Sequence, residues 1–421
     1  MSQNSSKKSF SYKPRTSGGF GGRKNYAGGP KPAYRGASGR PAFNRAKKYT
    51  NAPNAFDISR FINKAVITEQ IEHFVPEHRF ADFALDARLK QNIIKKGYTD
   101  PTPIQDRAIP HILRGLDVVG IANTGTGKTA AFLLPLINKI LTNKNERVLI
   151  MVPTRELAVQ IGDELRGFTT GLQIYSAICV GGAGIGGQIA ALRRKPQFVI
   201  GTPGRLKDLL ERKALSLATF TVAVLDEADR MLDMGFIHDM RTILALLPSP
   251  RHTLFFSATL STEIEKLIGE FLREPVRISV RTRETAASVE QDIVRVPRGG
   301  NKLDILHDLL IQPEFNKVLI FGRTKHGVEK LSKVLQQRGF RAESIHGNKT
   351  QNKRQKALDL FKRDHVQILV ATDVAARGLD INGVSHVINY DIPATHEDYI
   401  HRIGRTGRAG KKGKALTFVE A

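Results

Sequence analysis

The sequence predicts an α/β protein of two tandem lobes, each a parallel sheet flanked by helices, behind a basic N-terminal tail expected to be disordered. Three observations carry that expectation. At 421 residues the chain exceeds what one compact core takes, so two or three domains are expected. Short apolar runs alternate with helical stretches along most of it, the pattern of parallel strands covered by helices. The alternation comes in two series, separated by a polar lapse around Arg281–Ser288.

Taken in order, residues 1–56 hold twelve Lys or Arg and no acid. They are rich in Gly, Ser, Asn and Pro, with Phe and Tyr scattered singly, and show neither helical nor strand period; disorder is expected. Positive charge interleaved with aromatics suits loose RNA binding by backbone attraction and base stacking. A solubilising tail is the bland alternative. A transit peptide would also be basic and acid-free, but the abundant Gly and missing amphipathic period weigh against it. The first lobe is placed at 57–280, with strands at Asp117–Ala122, Val148–Pro153, Phe198–Gly201, Val222–Asp226 and Thr253–Ser257. Residues 281–290 read as a linker. The second lobe, 291–421, has strands at Val318–Phe321, Gln367–Ala371, His386–Asn389 and Ala415–Val419.

Composition limits the function classes. The formal charge of +25 favours a polyanionic partner, nucleic acid or an anionic membrane face. Outside the tail, 53 bases still stand against 40 acids. No apolar run reaches membrane-spanning length, so a soluble protein without membrane association is expected. The single cysteine, Cys179, excludes disulfide frameworks and cysteine-rich zinc sites and points to a reducing, cytoplasmic setting. Its plainer role is that of a small apolar residue on a strand.

The first candidate site is the run Ala122, Asn123, Thr124, Gly125, Thr126, Gly127, Lys128, Thr129, which follows an apolar strand and opens a helix at Ala130–Leu141. Glycines there let backbone N–H groups turn inward around phosphate oxygens, and the helix N-terminus adds partial positive charge. Lys128 would reach the β- and γ-phosphates and Thr129 would hold Mg²⁺. Ala122 stands where the strictest pattern has Gly. The second half is Asp226-Glu227-Ala228-Asp229, closing an apolar strand. Carboxylates placed so sit at the sheet's carboxyl edge, where ligands bind in such folds. Asp226 would hold Mg²⁺, mainly through water, and Glu227 would polarise the attacking water.

The literal Asp226-Glu227-Ala228-Asp229, with Ser257-Ala258-Thr259 further on, resembles the DEAD-box branch of superfamily 2 helicases, from about Phe80 to Ala421. The resemblance implies two RecA-like lobes and an RNA-stimulated, ATP-hydrolysing helicase that uses ATP and Mg²⁺. Gly97-Tyr98-Thr-Asp-Pro-Thr-Pro-Ile-Gln105 is similar to the family's adenine-reading motif. Gln105 would bond the adenine edge with donor and acceptor, and Phe80, seventeen residues before Gly97, would stack on the ring. Tyr98 is assigned to the same site. ATP would then be preferred over GTP.

Pro153-Thr154-Arg155, Gly181-Gly182 and Thr202-Pro203-Gly204-Arg205 are similar to RNA-contact motifs of the first lobe, with Gly and small residues exposing N–H donors and the arginines adding charge. In the second lobe the resemblance assigns Arg323-Thr324 and Thr372 to the RNA backbone and Gly378 to the nucleotide, while Asp380 would meet the ribose or the finger residues. From His401-Arg402-Ile403-Gly404-Arg405-Thr406-Gly407-Arg408 it makes Arg405 and Arg408 arginine fingers. Asp229, Ser257, Thr259 and His401 would couple the acidic run to lobe closure. A catalytic Ser257 is the alternative, and no His/Asp arrangement supports it. RNA would be recognised through 2′-hydroxyls and phosphates, with low sequence specificity. An ATP-gated RNA clamp with little unwinding shares every motif, and a DNA translocase is a second rival. A monomer is expected, without a C-terminal specificity domain, so that protein partners would be chosen through the N-terminal tail or by other proteins.

Overall fold

The computed structural model describes residues 74–420 except 124, 281–288, 377–380, 382 and 408–412. The expectations for the tail at 1–56, and for Thr124, Gly378, Asp380 and Arg408, lie outside the described residues.

The first lobe contains α1 (Ala87–Lys95), α2 (Pro103–Leu113), β1 (Val118–Ala122), α3 (Lys128–Thr142), β2 (Val148–Met151), α4 (Arg155–Phe168) and β3 (Ser176–Cys179). It continues with α5 (Ile185–Arg193), β4 (Phe198–Gly201), α6 (Pro203–Glu211), β5 (Val222–Leu225), α7 (Ala228–Asp233), α8 (Ile237–Ala245), β6 (His252–Ser257), α9 (Thr262–Phe271) and β7 (Val276–Val280). The strands form a seven-stranded sheet ordered β3-β4-β2-β5-β6-β1-β7, with every pairing parallel. Because side chains alternate along a strand, the sheet has two buried faces. Val118, Ile150, Val222 and Leu254 pack with residues of α1 to α4. Their neighbours Val119, Leu149, Ala223 and Phe255 pack with residues of α5 to α9.

The second lobe repeats the plan. Its elements are β8 (Val289–Val296), α10 (Lys302–Leu310), β9 (Val318–Phe321), α11 (Lys325–Gln337), β10 (Ala342–Ile345), α12 (Gln351–Lys362), β11 (Ile368–Ala371), α13 (Asp373–Ala376), β12 (His386–Asn389), α14 (His396–Ile403) and β13 (Gly413–Glu420). The sheet order is β10-β11-β9-β12-β13-β8, again parallel throughout. β8 begins at Val289, two residues inside the segment read as a linker.

The strand runs legible in the sequence are the nine interior strands. All four edge strands, β3, β7, β8 and β10, were left out of both series. A strand buried on both faces reads as a continuous apolar run, as Val148–Met151 and Val318–Phe321 do. An edge strand carries polar side chains that keep it from pairing further, so the signal breaks up. In β8 buried Val289 and Gln291 alternate with exposed Glu290 and Asp292. Cys179, read as a small apolar strand residue, ends β3; burial pushes its thiol up to about 12, which leaves it inert. No helix among the described residues is long and apolar enough to cross a membrane.

Candidate functional site

The loop from β1 to α3 has the backbone of a phosphate cradle. Gly125 and Gly127 both take left-handed conformations, at φ 82° and 93°. Gly127 is the N-cap of α3 and offers no side chain to cap it, so the first N–H groups of the helix stay available. A Cβ at Gly127 would overlap the Gln105 amide and lie 2.9 Å from Thr102 Oγ1. Lys128 is buried and its Nζ donates to Ala122 O at 2.8 Å, while Thr126 Oγ1 donates to Asn123 O at 2.8 Å. Thr129 lies in the first turn of α3.

Gln105 sits directly on this loop. Its Oε1 accepts from Thr102 N at 2.9 Å and its Nε2 donates to Gly127 O at 3.1 Å. These two bonds leave one N–H and one lone pair of the amide unused. Thr102 Oγ1 is buried beside the loop without a hydrogen-bond partner among the described residues. Phe80 is buried and meets Phe83 and Tyr98 edge-on, at 6.1 and 5.9 Å between centroids. Tyr98 packs on Phe168 and its hydroxyl donates to Glu164 at 2.8 Å, which ties the Gly97 turn to α4.

Sheet order explains how the acids meet this loop. β6 lies between β1 and β5, so the turn after Ser257 leaves the sheet between the phosphate loop and Asp226. Asp226 is buried and its Oδ1 accepts from Glu227 N at 3.0 Å. Burial pushes its carboxyl up to about 6, with the charge of nearby Lys128 pulling the other way. Asp229 Oδ2 accepts from Ala258 N and Thr259 N, both at 3.0 Å, and from Thr259 Oγ1 at 3.2 Å. Ser257 Oγ donates to Thr259 O at 2.7 Å. Three of the expected coupling residues are thus one hydrogen-bonded unit.

These residues fit a magnesium nucleotide. The loop supplies uncapped N–H donors, Thr102 an orphaned hydroxyl, and Asp226 a buried carboxylate whose charge a divalent cation would offset. No cluster of three or more His, Cys, Asp or Glu arranged for a metal occurs among the described residues. Magnesium in nucleotide sites needs none, since phosphates and water complete its shell around one or two protein oxygens.

A second constellation forms where β2, β3 and β4 end. Arg155, after the buried Pro153 and the α4 N-cap Thr154, lies over Gly181 and Gly182, and a Cβ at Gly182 would overlap its guanidinium. Gly182 has a φ of 72°. Burial, then the nearby charge of Arg354, lower the pKa of Arg155; Glu156 pulls the other way and Arg205 adds to the lowering. Arg205 donates to Ala183 O at 3.3 Å, and Thr202 N to Cys179 O at 3.1 Å, which places Pro203 and the exposed Gly204 at the start of α6 beside them.

In the second lobe Arg323 is exposed, its N–H held by Asp391 at 2.7 Å, and Thr324 caps α11 by accepting from Gly327 N at 3.0 Å. Thr372 O receives the N–H groups of Ala375 and Ala376 at the start of α13. His401 lies in the last turn of α14, next to Arg402. Arg405 is buried and its Nε donates to His401 O at 3.3 Å.

Three residues that the sequence did not single out join this frame. Arg402 is buried and clamps Asp373 through Nε at 2.5 Å and Nη2 at 2.8 Å, while its Nη1 donates to Asn389 Oδ1 and Asp391 O. Arg354 Nη2 and Gln351 Nε2, both on α12, reach Glu156 Oε1 on α4 of the first lobe at 2.9 and 3.2 Å. The only signal in the sequence was their i, i+3 spacing on a basic helix, which surface helices share. Arg354→Ala is expected to loosen the two lobes, read as a larger radius of gyration by X-ray scattering at unchanged secondary structure. Removing one partner of a buried ion pair costs about 3–5 kcal/mol, discounted here because Arg354 keeps 12% of its side chain exposed.

Two parallel-sheet lobes, one with a phosphate loop beside acid-ended strands, define a two-lobed phosphate-loop protein. The DEAD/DEAH box helicase family model matches residues 102–267, and the Helicase conserved C-terminal domain matches residues 301–410. An ATP-dependent RNA helicase CshA of Listeria monocytogenes is 47% identical over 344 residues, covering 81% of this chain and 66% of that one. The chain therefore spans just under two-thirds of that relative. The CshA protein of Limosilactobacillus reuteri is 46% identical over 343 residues, covering 81% of this chain and 69% of its own. The structure of Mss116p bound to ssRNA and AMP-PNP is 32% identical, with a TM-score of 0.73, and the likeness covers 80% of this chain and 73% of that one. The chain belongs to the DEAD-box family of superfamily 2 helicases.

Proposed function

We propose that this chain is an ATP-dependent RNA helicase that binds single-stranded RNA across both lobes, hydrolyses ATP between them and locally unwinds short duplexes. The observation that carries this reading is the hydrogen-bonded unit of Asp229 with Ala258 and Thr259, which joins the acidic run to the turn beside the phosphate loop. Family membership supports the reading, as does the Mss116p structure, which holds single-stranded RNA and a nucleotide.

In this proposal the glycine loop and Lys128 cradle the phosphates, Gln105 reads the base, and Thr129 and Asp226 hold Mg²⁺. The cation, when bound, neutralises charge developing on the phosphates. Glu227 orients the attacking water and accepts its proton. Arg155, Arg205, the α6 start, Arg323, Thr324 and Thr372 hold the RNA backbone. Arg405 and Arg408 turn to the γ-phosphate only when RNA draws the lobes together, so turnover depends on RNA. The setting is cytoplasmic, where ATP and RNA are both available.

Gln105→Ala is expected to raise KM for ATP and narrow the ATP/GTP preference in kcat/KM, because the site loses the group that pairs with a base edge. An unchanged preference would place base reading elsewhere. Strand displacement measured beside ATP hydrolysis tests the reading as a whole. ATP-dependent release of a short strand from an RNA duplex is expected; hydrolysis without release would favour the ATP-gated clamp.

A further inference from the structure

We propose that Arg230 is a positioning residue for hydrolysis, linking the turn after Ser257 to the carboxylate of Glu227. The proposal rests on the hydrolytic function argued above and assigns a role to a residue next to the acidic run rather than within it.

Each carboxylate of the run has a different partner. Asp226 accepts from the Glu227 backbone, and Asp229 Oδ2 is taken up by the turn at Ala258 and Thr259. Asp229 Oδ1 accepts from Arg230 N at 3.0 Å. The Arg230 guanidinium returns along the first turn of α7 and donates through Nη1 to Glu227 Oε2 at 2.9 Å. A continuous chain therefore runs from the turn through Asp229 and Arg230 to Glu227, and Arg230 is the member bonded to both acids.

Glu227 depends on such a hold. Its backbone is left-handed, at φ 52° and ψ 50°, a conformation uncommon for a residue with a Cβ and found where surrounding structure enforces it. The Glu227 and Arg230 side chains are 7% and 3% exposed, so water does not compete for the pair. Because Arg230 occupies Oε2, Oε1 is the oxygen left to face a water. Arg230 Nη2 is also buried and has no hydrogen-bond partner among the described residues, an orphan donor that a group arriving beside Glu227 would satisfy. Movement of the turn on lobe closure would pass along this chain and set the aim of Oε1.

The test is ATP hydrolysis by the full chain, with saturating RNA, in Arg230→Met and Arg230→Lys. Misplacing a reacting group by about 1 Å costs on the order of 10²-fold in rate, so kcat is expected to fall at least about 10-fold in R230M. R230K keeps the charge without the planar fork and should fall between R230M and wild type. KM for ATP and affinity for a non-hydrolysable analogue should stay within about twofold, since Arg230 holds a group that acts on the transition state rather than on binding. A kcat near wild type in R230M, or analogue affinity lost together with kcat in both variants, would overturn the proposal. If R230M does not fold, R230K decides: reduced kcat at unchanged KM supports the role, and wild-type kcat ends it. A wild-type chain without RNA-stimulated hydrolysis would remove the functional reading itself, an outcome distinct from a normal rate in the Arg230 variants.

Discussion

Glu227→Gln is expected to lower RNA-stimulated ATP turnover by about 10²-fold or more, the usual contribution of a positioned general base. Binding of ATP and RNA should survive. The amide is close to isosteric with the carboxylate and still accepts from Arg230, so the buried 2.9 Å contact is kept in weaker form. Asp226 and Thr129, the proposed metal holders, are untouched. With binding intact and hydrolysis blocked, the variant should accumulate as a long-lived complex with ATP and RNA, detectable as slow RNA release in a filter or fluorescence assay. Turnover near wild type would mean that another group orients the water.

Arg405→Ala is expected to reduce turnover by about 10³-fold or more, the range for an arginine that stabilises charge on a transferring phosphoryl group. Arg405 is buried against His401 O, and in the proposed mechanism it contributes only once the lobes approach. KM for ATP should therefore change little while kcat collapses. Arg405→Lys should remain far below wild type, because a point charge lacks the fork of donors. A parallel rise in KM would instead make Arg405 a ground-state phosphate ligand. A melting temperature measured alongside separates either outcome from loss of folding, since a buried guanidinium also packs.

The nine interior strands were legible because burial on both faces writes them as largely apolar runs, and seven of them, β1, β2, β4, β5, β6, β9 and β11, end at or near a residue of the candidate site. The phosphate loop and the acidic run were legible because their chemistry needs particular residue types at fixed spacing. What escaped was what only three dimensions bring together. Glu156 and Arg354 are 198 residues apart in the chain and meet across the lobes at 2.9 Å. Arg402 lies in the same arginine pattern as Arg405, yet it serves as a buried clamp on Asp373, and no periodicity separates the two roles. Phe80 and Tyr98 were placed against a base by the family resemblance alone; their edge-on packing and the Tyr98–Glu164 bond depend on α1 and α4 meeting.

In the proposed mechanism hydrolysis requires the second lobe to bring its arginines to the nucleotide held by the first, and RNA drives this approach. The most direct measurement is the ATP turnover of the full chain across a titration of single-stranded RNA, with single-stranded DNA of the same sequence as control. The account predicts that turnover rises and saturates with RNA and stays near its basal level with DNA. The same kcat with and without RNA would contradict it, because the site would then be complete without closure.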